Sequence, residues 1–177
     1  GVDSIAIGNG GVGGDKNNTG VGGNGNTYTI DVNGISTNVY YGVKSVDNGS
    51  IAFGNRANAA KGGLAIGTVS ILSKNGVAIG SAVSATVANA VAMGSKAEAS
   101  SVGAVAIGGY SATDKTKAQG NNALAIGANA VTNGNETIAI GKSANASNAN
   151  AVAVGKNAKA SIANSVAIGS DSTTDTN

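Results

Sequence analysis

Hydrophobic and polar positions along this chain alternate in short, recurring bursts. A four-residue unit, aliphatic–Ala–apolar–Gly, occurs ten times: Ile5–Gly8, Ile51–Gly54, Leu64–Gly67, Val77–Gly80, Val91–Gly94, Val105–Gly108, Leu124–Gly127, Ile138–Gly141, Val152–Gly155 and Val166–Gly169. The glycines are 46, 13, 13, 14, 14, 19, 14, 14 and 14 residues apart. A second signal keeps phase with the first. From Gly54 onward the residue three after each glycine is Ala, Ser or Val, and the residue five after is again small or apolar, as in Ala97 with Ala99 and Ser111 with Thr113. Alternation with period 2 marks strands. Each unit therefore predicts a first strand, a turn at glycine, a second strand of small residues and a turn rich in Asn, Gly and Ser. Helical repeats need a period of roughly 33 residues or more. A coil of parallel strands remains, all-β, with each turn stacked on the last at about 4.8 Å, so ten coils span roughly 48 Å.

The two faces of the first strand differ. One carries a large pair, which is expected to fill the roll: Val91 with Met93, Val105 with Ile107, Ile138 with Ile140, Val152 with Val154, and Val166 with Ile168. The other carries an alanine in every copy, at Ala6, Ala52, Ala65, Ala78, Ala92, Ala106, Ala125, Ala139, Ala153 and Ala167. The residue before each unit is small too, and none of these twenty positions holds Lys, Glu or Gln. A solvated face would not look like this. The alanine face is expected to lie between subunits at close backbone approach, in a closed symmetric oligomer.

Composition agrees with a roll of small residues. The chain has 177 residues, with 29 Gly, 32 Ala and 23 Asn, no Cys, His, Pro or Trp, one Phe and four Tyr. Disulfides, thiolate metal sites and histidine catalysis are excluded. Hydrophobic residues make up 41%, too many for a disordered chain. Eleven basic and nine acidic residues give a net charge of +2, thinly spread, with no basic patch of the kind that binds nucleic acid. No signal peptide and no run of 18 apolar residues is present. The pattern starts and stops in mid-phase, so the chain reads as part of something longer, with one domain over 1–177.

The five-residue motif Ser165-Val166-Ala167-Ile168-Gly169, with variants such as Gly76-Val77-Ala78-Ile79-Gly80, resembles the head repeats of trimeric autotransporter adhesins, the YadA-like heads. It recurs at that family's 14-residue spacing and covers residues 1–8 and 50–177. The resemblance implies a left-handed parallel β-roll, a homotrimer, on the outer surface of a Gram-negative bacterium. It implies partners among host extracellular matrix proteins or cell-surface receptors, and a membrane reached only through stalk and anchor parts outside this segment. A structural spacer rod is the alternative function. No enzyme activity and no cofactor is expected. A polysaccharide lyase of solenoid type would carry clustered charges in a groove, and an ice-binding solenoid would carry regular exposed threonines; neither pattern is present.

Residues 9–49 depart from the repeat as an insertion. Within it, 27–41 alternate on either side of Asn33-Gly34, a strong hairpin signal. A two-residue turn pairs Tyr28 with Val39, Ile30 with Thr37 and Val32 with Ile35. Tyr28, Tyr40 and Tyr41 are three of the four tyrosines, and tyrosine is favoured in interfaces, so they are candidate ligand contacts, unless the hairpin packs on the roll or a neighbouring chain. A smaller departure is the five-residue excess between Gly108 and Gly127. Gly141-Lys142-Ser143 looks like the end of a phosphate-binding loop, but Glu136 stands where its first glycine belongs. Lys142 and Lys156 each follow a repeat glycine, one period apart, as a solvated edge or a basic row.

Overall fold

Each aliphatic–Ala–apolar triplet folds as a three-residue strand, and most of the small-residue stretches that follow fold as two-residue strands. The computed structural model describes residues 51–54, 57–60, 62–68, 74–109 and 113–174, and by backbone alone the strands Ile5–Ile7, Gly11–Gly13, Tyr28–Val32, Ile35–Val39, Val43–Ser45 and Ile71–Leu72. The triplets stack in one parallel sheet: Ile5–Ile7, Ile51–Phe53, Leu64–Ile66, Val77–Ile79, Val91–Met93, Val105–Ile107, Leu124–Ile126, Ile138–Ile140, Val152–Val154 and Val166–Ile168. A second parallel sheet holds Gly11–Gly13, Val43–Ser45, Asn58–Ala59, Ile71–Leu72, Ser84–Ala85, Glu98–Ala99, Lys117–Ala118, Val131–Thr132, Asn145–Ala146, Lys159–Ala160 and Thr173–Thr174. The chain winds between the two as a β-solenoid of about 14 residues per turn.

Register is uniform. Val77 lies beside Val91, Val91 beside Val105 and Val105 beside Leu124, with the alanines Ala78, Ala92, Ala106 and Ala125 aligned in a row next to them. Val91 N donates to Ala104 O at 2.8 Å, and Gly108 N donates to Met93 O at 2.8 Å. Like residues therefore stack at the strand spacing along the whole roll.

The interior is made of alanine. Ala52, Ala65, Ala78, Ala92, Ala106, Ala125, Ala139 and Ala153 are 0% exposed within a single chain, and Ala167 is 3% exposed. Facing them from the second sheet are Ala57 with Ala59, Val83 with Ala85, Ala97 with Ala99, Ala144 with Ala146 and Ala158 with Ala160, all buried. The aliphatic pairs point the other way. Val91, Met93, Val105, Ile107, Ile138, Ile140, Val152 and Val154 are half-buried, and Val166 and Ile168 are 57% and 69% exposed. This reverses the expected orientation: the alanine row fills the roll, and the pairs expected as core stand on its outer face. Ala6 is placed by backbone alone, in register with Ala52. The reason is width. A coil of one three-residue and one two-residue strand brings its sheets too close together to hold two rows of large side chains, so alanine fills the space between them, with nothing larger than valine or threonine fully buried among the described residues. The three buried threonines keep their hydroxyls paired: Thr137 Oγ1 donates to Gly134 O at 2.7 Å, Thr116 Oγ1 to Gly127 O at 2.5 Å, and Thr132 Oγ1 lies 3.5 Å from Lys117 O.

Corners close the coil. From Asn75 to Gly103, and again from Asn122 to Asp171, a residue with φ between +54° and +67° comes every seven residues. Asparagine holds most of these positions because its short polar side chain tolerates the left-handed region. Each coil is thus two half-units of one design. Asn150-Ala151-Val152-Ala153 and Asn157-Ala158-Lys159-Ala160 share a left-handed residue, a buried alanine, an outward residue and a second buried alanine. The repeat glycine is needed for another reason: Gly94 has φ +117°, and a Cβ there would run into the carbonyl of Gly108 on the next coil. Asn89 checks the corner rule. Asn89→Gly is expected to leave stability nearly unchanged and Asn89→Val to lower it by about 1–2 kcal/mol, read from urea unfolding curves.

Two irregular regions differ from expectation. In the long coil the inward pair is Thr116 and Ala118, so the five extra residues lie in the corner after Gly108. Thr113 is exposed rather than inward, and Ser111 lies outside the described residues. At the start of the chain, Ile5–Ile7 pairs directly with Ile51–Phe53, while Gly11–Gly13 pairs with Val43–Ser45, which pairs with Asn58–Ala59. The stretch 9–49 therefore supplies two strands to the second sheet, and between these two the chain forms a separate two-stranded sheet. Tyr28–Val32 and Ile35–Val39 pair antiparallel within it, with Tyr28 opposite Val39, Ile30 opposite Thr37 and Val32 opposite Ile35.

Candidate functional site

Because the alanines take the interior, the outer face of the first sheet is left with two continuous aliphatic rows. One runs Leu64, Val77, Val91, Val105, Leu124, Ile138, Val152; the other runs Ile66, Ile79, Met93, Ile107, Ile126, Ile140, Val154. All of these are half-buried; at one end the rows continue through exposed Ile51 and Phe53, which pair with the strand Ile5–Ile7, and at the other they finish on exposed Val166 and Ile168. No charged residue interrupts them. A soluble monomer rarely shows so long a contiguous apolar strip; strips of this kind are interaction surfaces. β-Branched residues suit it, since they are stiff and pack in ladders on a pleated surface.

The opposite face of the roll is polar and irregular. Its outward positions hold Asn58, Ser84, Glu98, Lys117, Asn145, Lys159 and Thr173, with Val131 among them. Its corners carry side-chain ladders: Asn150 Nδ2 donates to Asn164 Oδ1 at 2.9 Å, and Asn121 N donates to Asn135 Oδ1 at 2.9 Å. Asn157 Nδ2 donates to Asp171 Oδ1 at 2.8 Å. That bond, with one from Ser170 Oγ at 3.0 Å and the positive charge of Lys156, holds the Asp171 carboxyl below the usual aspartate range. Asp171 thus stays ionised to lower pH in the folded chain than in the unfolded one. Its contribution is present above the unfolded value and is lost as acid titrates the folded carboxyl. Among the described residues no group of three or more His, Cys, Asp and Glu is arranged to hold a metal ion.

The three candidate tyrosines are not brought together by described geometry. Tyr28 has a place in its strand by backbone alone, and Tyr40 and Tyr41 lie outside the described residues. The aliphatic face, by contrast, was read from the sequence as core and is the surface that the fold leaves uncovered. The signal that could have revealed it is the seven-residue spacing of Asn and Gly corners, which makes the two strands of a coil equivalent and places Ala-x-Ala inward in both.

The family model for the YadA head domain repeat, which spans two copies of the repeat, matches residues 88–111, 118–144 and 146–172. No curated protein matches the chain. The matched segments fall on the most regular coils of the roll, where the Ala-x-Ala strands, the repeat glycines and the left-handed corners recur in phase. Over these segments the chain carries YadA head domain repeats, and there it matches the head of a YadA-like trimeric autotransporter adhesin.

Proposed function

We propose that this chain is an adhesive head that assembles as a homotrimer through the aliphatic face of its first sheet and binds host extracellular matrix proteins or cell-surface receptors from the surface of a Gram-negative bacterium. The observation that carries the assembly is the pair of unbroken aliphatic rows on a roll whose own interior is already filled with alanine. Each half-buried Val or Ile still has about 1 kcal/mol to gain from full burial. The family supports the adhesive role, since heads of this type are the exposed parts of outer-membrane autotransporters. The segment between residues 13 and 43, with Tyr28 in its paired strands and Tyr40 and Tyr41 next in the sequence after them, is the proposed ligand contact.

The test presents the head, alone and fused to a trimeric coiled coil, to immobilised matrix proteins and to host cells. Binding by the trimeric form is expected, and it should fall when residues 27–41 are replaced by a Gly/Ser linker. That replacement spares Gly11–Gly13 and Val43–Ser45, which a deletion of 9–49 would remove from the second sheet. A folded trimer that binds neither matrix proteins nor cells would make the chain a spacer rod. Full binding after the replacement would move the contact to the outer faces of the roll.

A further inference from the structure

Charge on the roll is segregated. Among the residues whose side chains are described, six of the seven lysines, Lys96, Lys115, Lys117, Lys142, Lys156 and Lys159, stand on the corner after the repeat glycine or on the outer face of the second sheet. Three carboxylates, Glu98, Asp114 and Asp171, share that side. The opposite corner holds Lys74 and Glu136, and the aliphatic face holds no charge. One long edge of the roll is therefore basic.

The exposed part of that edge is Lys142, Lys156 and Lys159. Asn157 N donates to Lys142 O at 2.9 Å and Asp171 N to Lys156 O at 2.8 Å, so these corners stack one coil apart, about 4.8 Å. Lys159 leaves the second sheet three residues beyond Lys156, beside Asn145 on one coil and Thr173 on the next. Asp171 is the carboxylate closest along these coils; it is hydrogen-bonded by Asn157 and Ser170 and also feels the charge of Lys156. None of the three lysines is held in an ion pair among the described residues.

We propose that this edge binds a sulfated polysaccharide lying along the roll axis. The proposal rests on the adhesive reading and names a ligand class for it. A linear polyanion matches cations stacked on adjacent coils, here Lys142 on one and Lys156 with Lys159 on the next, and binding by neutralised anionic groups draws its strength from released counterions. Lysine offers compact, rotatable point charges that suit scattered sulfates without demanding planar recognition. Single-stranded nucleic acid is disfavoured, because the described residues of this edge include no aromatic ring and no arginine on which bases could stack. Three copies of the edge in an assembled head would raise the avidity of a weak single site.

The experiment uses the assembled head and heparin as the probe, with single-stranded DNA of matched charge and desulfated heparin as competitors. The K142Q/K156Q/K159Q variant is expected to bind heparin at least tenfold more weakly, with the slope of log affinity against log salt shallower by about 2–3. Lys74→Gln is expected to change neither. Failure of the intact head to bind heparin at physiological salt overturns the proposal, as does unchanged binding by the triple variant or equal competition by DNA or by desulfated heparin. Matrix-protein binding is read in parallel. An intact head that binds matrix proteins but not heparin overturns this proposal alone, whereas one that binds heparin but not matrix proteins overturns the protein-adhesion reading alone.

Discussion

Replacing Ala139 with leucine is expected to lower the stability of the roll by about 3 kcal/mol, or to unfold the coils around it. Overpacking a filled core usually costs about 1–3 kcal/mol. The upper end applies here because the space has no give. Ala139 is 0% exposed, its row neighbours Ala125 and Ala153 are 0% exposed, and Ala144 and Ala146 across the interior are 0% exposed. The row and facing neighbours are already at methyl size, and the nearby inward threonines, Thr132 and Thr137, are fully buried, with Thr137 held by a hydrogen bond to Gly134 O, so no side chain can readily make room. The backbone would have to move, and it is tied to both adjacent coils by Ile138 N to Ala151 O at 3.0 Å and Gly141 N to Ile126 O at 2.8 Å. Ala149→Leu is the control. Ala149 is exposed at a corner, and its substitution should stay within about 0.5 kcal/mol of the parent. Urea unfolding followed by circular dichroism reads both. If Ala139→Leu instead kept full stability and dissolved the oligomer, the alanine row would face a partner chain and the interior described above would be wrong.

Replacing Ile126 and Ile140 together with lysine is expected to give a folded monomer. Both side chains point outward from adjacent strands, in register with Ile107 and Val154, and neither contributes to the alanine interior. The substitution therefore spares the roll but places two charges in the middle of the face proposed to join three chains. Burying an unpaired charge costs several kcal/mol, and symmetry would repeat the cost in each subunit. Light scattering should fall from three times 16.7 kDa to 16.7 kDa with the circular dichroism spectrum unchanged. A trimer that survives the double substitution would locate the contact on another face. The pair of experiments thus separates inside from outside: one position changes folding and leaves association as a consequence, and the others change association alone.

Much of the molecule was legible in one sequence. The ten aliphatic–Ala–apolar–Gly units set the strand count of the first sheet, the 14-residue period set the coil, and Asn33-Gly34 set a pairing of Tyr28–Val32 with Ile35–Val39 that the backbone reproduces residue for residue. These features are local. Period 2 reports extended backbone, and a two-residue turn leaves its strands one register. The five extra residues of the long coil were also visible, but not their place. Ser111 and Thr113 kept the regular phase after Gly108, and only the pairing of Glu98 with Lys117 shows that the extra length sits before Thr116.

The direction in which each face points was decided by the tertiary structure. From the sequence, Val91 and Met93 looked like core because large apolar side chains usually go inside, and Ala92 looked like a contact surface because it was neither large nor charged. That rule assumes an interior wide enough for the large residues. The interior of a solenoid is instead set by the distance between its two sheets, which depends on how few residues each corner and strand spans. With about 14 residues per turn the distance fits alanine against alanine, and the aliphatic rows are excluded. The sequence by itself determined the repeat, the strands and an uncharged surface in need of covering. The closeness of the two sheets, a property of the closed coil and of no single residue, decided which of the two apolar faces that surface is.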